Sequence, residues 1–279
     1  MAAYKHFLVD TPAPFVAHVQ INRPQKLNAF YEEMWLELKE VFDTLSLSSD
    51  VRAIILSGAG DRAFTSGLDV QAASQQGVLQ QEAGKSNDVA RKAVGIKRHV
   101  QEFQDCISSV EKCEKPVICV MHGITFGLGL DISTCADIRI CSKDVKFAVK
   151  EVDIGLAADI GTLSRLPKVV GAFSWVKDVS LSARIFGGEE ALRVGFVSYV
   201  LDNKAAALNK ALELANLLAE KSPIAVQGTK ELLNHARDNK LADSLRYTGV
   251  WNSAAIQTSD VERAMLSGLK KTKPRFEKL

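Results

Sequence analysis

The chain has 279 residues, 47% apolar and 24% charged, the balance of a globular protein and of neither a disordered nor a fibrous one, and long enough for two average domains or one large α/β domain. Its formal net charge of +2 gives no wide field for steering onto nucleic acid or an acidic membrane, so neither partner is expected. The five cysteines, Cys106, Cys113, Cys119, Cys135 and Cys141, are odd in number and form no CxxC pair, which speaks against a disulfide framework or a zinc site and fits a reducing compartment.

Met1 to Asp10 carries no apolar stretch of the signal-peptide kind and no Arg- and Ser-rich run, so neither secretion nor membrane spanning is expected. Val16 to Ile21 alternates apolar and polar residues as a strand does and is stopped by Asn22-Arg23-Pro24. From Phe30 to Leu45, Met34, Leu38, Val41, Phe42 and Leu45 recur at helical spacing. Val51 to Leu56 is a short apolar run ended by Ser57-Gly58-Ala59-Gly60, which reads as a buried strand. Gln71 to Lys97 is polar without a sharp period and reads as a mobile loop or weak helix. A helix near Val100 to Glu111, a strand at Pro116 to Met121 and a helix ending at Cys135 follow, then short strands at Ile138 to Cys141 and Lys146 to Val149. The repeating unit is strand, strand, helix. Beyond Ser174 helices take over at Ala205 to Glu220, Ile224 to Arg237 and Leu241 to Gln257, with Phe196 to Leu201 alone strand-like.

Two strand-to-helix junctions rich in small residues, Phe64-Thr65-Ser66-Gly67-Leu68-Asp69 and Gly127-Leu128-Gly129-Leu130-Asp131, offer free backbone N–H groups suited to an oxyanion. Neither matches GxGxxG or a GKS/GKT phosphate loop, which argues against nicotinamide and nucleoside-triphosphate chemistry. Beyond the second junction lie three acids, Asp131, Glu151 and Asp159. Asp159, flanked by Ala158 and Ile160, reads either as a cap for the following helix or as a carboxyl whose apolar setting raises its pKa for proton transfer.

Asn22-Arg23-Pro24 with Asn28-Ala29, the Phe64-to-Asp69 turn, His122-Gly123 and its glycines, Ala136-Asp137-Ile138-Arg139, Gly155-Leu156, Arg165-Leu166-Pro167 and Ala191 to Val197 together resemble the crotonase, or enoyl-CoA hydratase/isomerase, superfamily over nearly the whole chain. The acids, in the setting Lys150-Glu151-Val152-Asp153-Ile154-Gly155-Leu156-Ala157-Ala158-Asp159, resemble its dienoyl-CoA isomerase branch.

The resemblance implies an α/β spiral of strand-strand-helix turns over residues 1–200, with an acyl-CoA site, and a helical oligomerisation subdomain over 201–279. It implies that the N–H groups of Leu68 and Leu128 bind the thioester oxygen, although Leu128 stands where the family usually has glycine. It places coenzyme A contacts at Lys26, Ala29, Ser66, Gly67, Leu68, Asp69, Val70 and Leu128. Asp159 would remove a proton from C2 of a 3,5-dienoyl-CoA and Glu151 deliver one at C6, with Asp131 orienting or tuning Glu151; hydratases carry glutamate at position 131, longer by about 1.5 Å. No metal or cofactor beyond the substrate's own coenzyme A is implied, and a homo-trimer or hexamer is. The terminal Lys278-Leu279 shares two residues with a peroxisomal address, so a peroxisome or mitochondrion-type oxidation compartment is expected, the peroxisome slightly ahead and the cytoplasm also open. The competing readings are a 2-enoyl-CoA hydratase and a noncatalytic thioester- or RNA-binding protein using the basic run Lys270 to Arg275. His18, His122, Trp175 and Trp251 read as packing residues.

Overall fold

Alternation along the central strands divides the interior in two. The computed structural model describes residues 4–76 and 88–279. Strands β1 (Phe7–Ala13), β2 (Val16–Ile21), β3 (Ala53–Gly58), β5 (Val117–Met121), β7 (Ile138–Ser142) and β10 (Tyr199–Leu201) form one sheet in the order β1-β2-β3-β5-β7-β10, antiparallel only at the β1–β2 hairpin. The short strands β4 (Ala63–Thr65), β6 (Ile124–Phe126), β8 (Lys146–Ala148) and β9 (Phe186–Gly187) form a second sheet. Each long strand β3, β5 and β7 runs through a turn into a short strand beside the last one, so the strand-strand-helix repeat winds as a spiral.

Ala17, Val19, Ile21, Ile54, Leu56, Val117, Cys119 and Met121 point into the larger core with helices α1 (Glu32–Leu47), α3 (Val89–Lys112) and α4 (Leu128–Cys135). Val16, Ala53, Ile55, Ile118, Val120 and Ile140 point the other way. That second face is covered by α8 (Lys204–Ala219), which brings Ala207, Ala211, Ala215 and Ala219 to it at every fourth residue. Methyl side chains let the helix approach the sheet closely. The first helix of the 201–279 segment therefore packs into the core of the sheet. The next helix, α9 (Pro223–Asp238), is also tethered: Lys230, 8% exposed, donates to the Lys115 carbonyl at 3.0 Å and pairs with Asp137 at 2.8 Å. Arg52 reaches the carbonyls of Phe276 and Glu277 at 2.8 and 2.9 Å and so ties down the tail.

β2 coincides with its predicted span, and most of the other predicted strands and helices fall within a few residues of theirs. Helix α1 begins at Glu32 rather than Phe30 because Phe30 is held as an extended bridge partner of Leu68. The polar residues of Val89 to Lys97, read as a loop or weak helix, belong to α3, which Asp88 caps by accepting from the Arg91 N–H. The part of that reading at 77–87 lies outside the described residues. Of Phe196 to Leu201 only Tyr199–Leu201 is strand; Phe196 and Val197 are apolar because they are buried in a loop. The strand β1 carries no clear alternation and went unpredicted. All five cysteines are free and buried. Among the described residues, no helix is long and apolar enough to cross a membrane.

Candidate active site

The two small-residue junctions come together. The segment after β4 pairs with Phe30, whose N–H donates to the Gly67 carbonyl at 2.8 Å and whose carbonyl accepts from Asp69 N–H at 2.7 Å. In such a parallel bridge the residue between, Leu68, turns its N–H to the opposite side. Gly67 has φ +97°, and a Cβ there would lie 3.0 Å from the Phe126 carbonyl oxygen and 3.6 Å from Leu128 N. Leu128 is the first residue of α4, where the N–H has no partner within its own helix. Its neighbour Gly127, at φ +51°, makes the sharp turn, so a leucine is accommodated at 128 without a left-handed backbone. The Gly67 turn next to Leu68 therefore lies close to the backbone N of Leu128.

The loop before this junction is wired from within. Asn28, fully buried at φ +56°, donates its amide to the carbonyls of Ala59 and Ala63 at 3.0 and 2.9 Å and accepts from Arg23 N–H at 2.9 Å. Thr65 Oγ1 donates to the Asn28 carbonyl at 2.7 Å and accepts from Gly67 N–H at 3.1 Å, while Ser66 N–H donates to the Leu27 carbonyl at 2.9 Å. Among the residues expected to touch coenzyme A, Asp69 is engaged with Arg23 at 2.8 Å and caps Ala72 N–H at 3.1 Å; burial raises its pKa, but these bonds outweigh it and the net direction is down. The Ala29 carbonyl accepts from Arg23 at 2.8 Å. Lys26 and Val70 stand exposed, and Ser66 is half-buried.

The three acids share one field. Glu151 opens a 3₁₀ turn (Glu151–Ile154) after β8, and its Oε1 lies 3.1 Å from where a Cβ on Gly127 would sit, beside the donor pair. Its Oε2 is buried without a hydrogen-bond partner. Burial first, then the charge of Asp131, and also that of Asp159, push Glu151 up to about 7, against the pull of backbone N–H groups of Lys150 and Glu151. Asp131, on α4, is 2% exposed; burial pushes it up to about 6 although Thr162 donates twice to its Oδ1, from N–H at 2.6 Å and hydroxyl at 2.7 Å. Asp159, though exposed on one side, is raised by partial burial of its carboxyl, with its own N–H and the nearby His99 opposing.

Asp159 is not in the small apolar setting its neighbours suggest. Ala158 and Ile160 point inward while Asp159 between them is exposed, beside a cavity of about 410 Å³ lined by Gln104, Ser108, Glu111, Arg165, Lys168 and Arg237. Extended chain alternates its faces, so flanking apolar residues report on the other side. Gln104, donating to the Asp159 carbonyl at 2.5 Å, His99 beside Asp159 and Thr162 on Asp131 are neighbours of the acids that the sequence did not disclose. Only the position of Thr162, opening the helix after Asp159, could have drawn attention to it.

His122 is fully buried, bonded to the Gly60 carbonyl at 2.9 Å, and burial lowers it to about 4, so it packs. His18 meets Ser57 at 2.8 Å and Trp175 donates to Glu190 at 2.7 Å, both structural contacts. Among the described residues one group, Glu32, His99 and Glu102, on α1 and α3, brings possible metal-ligand atoms within 4.8 Å of one another.

A spiral of strand-strand-helix turns that brings two small-residue junctions side by side defines the crotonase class of protein. The chain belongs to the enoyl-CoA hydratase/isomerase family, whose profile matches residues 13–278. It is 42% identical over 268 residues to the mitochondrial Delta(3,5)-Delta(2,4)-dienoyl-CoA isomerase of Mus musculus, covering 96% of this chain and 80% of that protein. It is 39% identical over 264 residues to the peroxisomal Delta(3,5)-Delta(2,4)-dienoyl-CoA isomerase of Arabidopsis thaliana, covering 95% and 93%. The crystal structure of an enoyl-CoA hydratase from Bacillus anthracis superposes with a TM-score of 0.86 at 24% identity, covering 98% of this chain and 99% of that one, a likeness of fold.

Proposed function

We propose that the protein is a dienoyl-CoA isomerase that converts a 3,5-dienoyl-CoA into the 2,4-isomer during oxidation of unsaturated fatty acids. The observation that carries this reading is a buried, unpartnered Glu151 oxygen beside the Gly127 turn, on a carboxyl whose pKa is raised by burial and by the charges of Asp131 and Asp159. Asp159, ionised, takes the C2 proton. The electron pair of that C–H bond moves toward the thioester carbonyl, and the dienolate oxygen receives the two backbone N–H groups, each worth about 3 kcal/mol to the transition state. When the carbonyl re-forms, the double bonds shift to C2–C3 and C4–C5, and C6 takes the proton of Glu151. A carboxyl titrating near 7 is half-loaded at neutral pH, as a proton donor should be.

The isomerases of mouse and Arabidopsis carry this activity in their names, which supports the same substrate class here. Their mitochondrial and peroxisomal descriptions support an oxidation compartment of one kind or the other. Lys26 and the 66–70 turn would hold the coenzyme A portion. A homo-trimer or hexamer is supported by exposed apolar side chains on the C-terminal helices, among them Leu233, Leu241, Leu245, Ile256, Met265 and Leu269.

The hydratase reading fares worse, because a buried Asp131 with two donors on one oxygen is poorly placed to share a catalytic water with Glu151. An RNA-binding role loses support where charges of the tail are paired within the chain, Lys273 with Glu220 at 3.3 Å and Lys278 with Asp50. Purified protein offered a 3,5-dienoyl-CoA and a 2-enoyl-CoA side by side should turn over the first far faster; preferential hydration of the second would overturn the proposal.

A further inference from the structure

Thr162 opens helix α5 (Thr162–Val169), and both of its donors close on one atom, Asp131 Oδ1. Thr162 is 0% exposed and Asp131 2%. The two residues are 31 apart in sequence, so the contact joins the helix that carries the Leu128 donor to the helix that follows Asp159. Oδ2 of Asp131 receives no donor among the described residues. A carboxylate held this way keeps its charge but cannot swing toward a substrate without breaking two short bonds.

We propose that Thr162 is a positioning residue for the proton transfer: its double donation holds Asp131 ionised and immobile, so that Asp131 influences the reaction only by changing how tightly Glu151 holds its proton. This rests on the isomerase reading above. The groups facing Asp131 are Thr162 and Arg165 from α5, Asp159 from the preceding loop, Cys135 one turn along α4 and Glu151 from the 3₁₀ turn. Those facing Glu151 are Asp131 and Asp159. Arg165 and the Thr162 donors favour the charged Asp131; burial and Asp159 oppose it.

The direction of the effect follows. Removing the Thr162 hydroxyl makes Asp131 easier to protonate. A neutral Asp131 no longer repels charge on Glu151, which then releases its proton at lower pH. Because Glu151 must be protonated to deliver to C6, the alkaline limb of the kcat profile moves down, while the acid limb set by Asp159 stays. Acid and acid titrate as a pair, so the limb is a property of both.

The test is kcat and KM for a 3,5-dienoyl-CoA across the neutral range for the wild type, Thr162→Val, Thr162→Ser and Asp131→Asn. One charge-assisted hydrogen bond is worth about 1 pH unit or more on Asp131, of which roughly half should reach Glu151. Thr162→Val should therefore shift the alkaline limb down by about half a pH unit with KM little changed, and Thr162→Ser should restore the wild-type limb. Asp131→Asn keeps an acceptor for Thr162 but removes the charge, so it should shift the limb the same way, and adding Thr162→Val to it should shift it no further. A Thr162→Val profile that overlays the wild type with only a lower plateau makes Thr162 a merely structural cap and overturns the proposal. If Thr162→Val does not fold, an unmoved limb in Asp131→Asn overturns it equally. Absence of dienoyl turnover in the wild type would instead refute the isomerase reading, an outcome distinct from an unmoved limb.

Discussion

Glu151→Gln separates the chemistry of this site from its cost. Glutamine is a neutral mimic of the protonated acid and keeps its shape, so at low pH the variant should be as stable as the wild type. The rise of Glu151 from 4.5 to about 7 means that the folded protein binds a proton the unfolded chain has already released between those values. A folded pKa above the unfolded one contributes stability that is complete below the unfolded value and is lost as pH rises through the folded one. The shift corresponds to about 3 kcal/mol at full burial, and to roughly 2 kcal/mol once the half-buried position of Glu151 is allowed for. Glutamine escapes that loss. Thermal melts of both proteins should therefore coincide near the ordinary glutamate pKa and diverge toward mild alkali, with Glu151→Gln melting roughly 4–8 °C higher for a chain of this size. Its turnover of a 3,5-dienoyl-CoA should fall by a factor on the order of 10²–10⁴. A variant that is inactive yet no more stable than the wild type above neutrality would mean that Glu151 is not held as a buried acid, and the proton-donor role would lose its basis.

The other perturbations address the second acid and the donor pair. Asp159→Asn should cut dienoyl turnover by on the order of 10²–10⁴ while leaving thioester affinity and melting temperature nearly unchanged, because the side chain is exposed; unchanged turnover would remove it as the base. Gly67→Ala combines a left-handed φ of +97° with a methyl 3.0 Å from the Phe126 carbonyl, and should cost about 1–3 kcal/mol in a denaturant titration and lower kcat more than it raises KM; a variant equal to wild type in both would show that the turn tolerates side chains and that the donor geometry is looser than described.

Much of the architecture was readable from local pattern. Periods of two and 3.6 located β2 to the residue and most of the helices to within a few, since which side of an element faces the core is written in its own residues. Where a segment lacks a clean period, as in β1, with its mostly half-exposed and exposed residues, or in the polar start of α3, the pattern carried little information. Local pattern also misled at Asp159, whose apolar neighbours lie on the opposite face of an extended segment.

By itself the local sequence supplied the strand-strand-helix repeat, the two small-residue junctions and the three acids as candidates, because spacing, turn chemistry and residue type are properties of contiguous chain, while the spiral fold was implied by resemblance to the family. Only the tertiary structure decided that the Gly67 turn lies beside Leu128 N, that Glu151 has a buried oxygen without a partner, and that Thr162 donates twice to Asp131. Each of those depends on residues tens of positions apart being brought within a few ångströms, and on water being shut out around them. Burial and long-range contact, which set the acids' proton affinities, come into being only when the chain has folded.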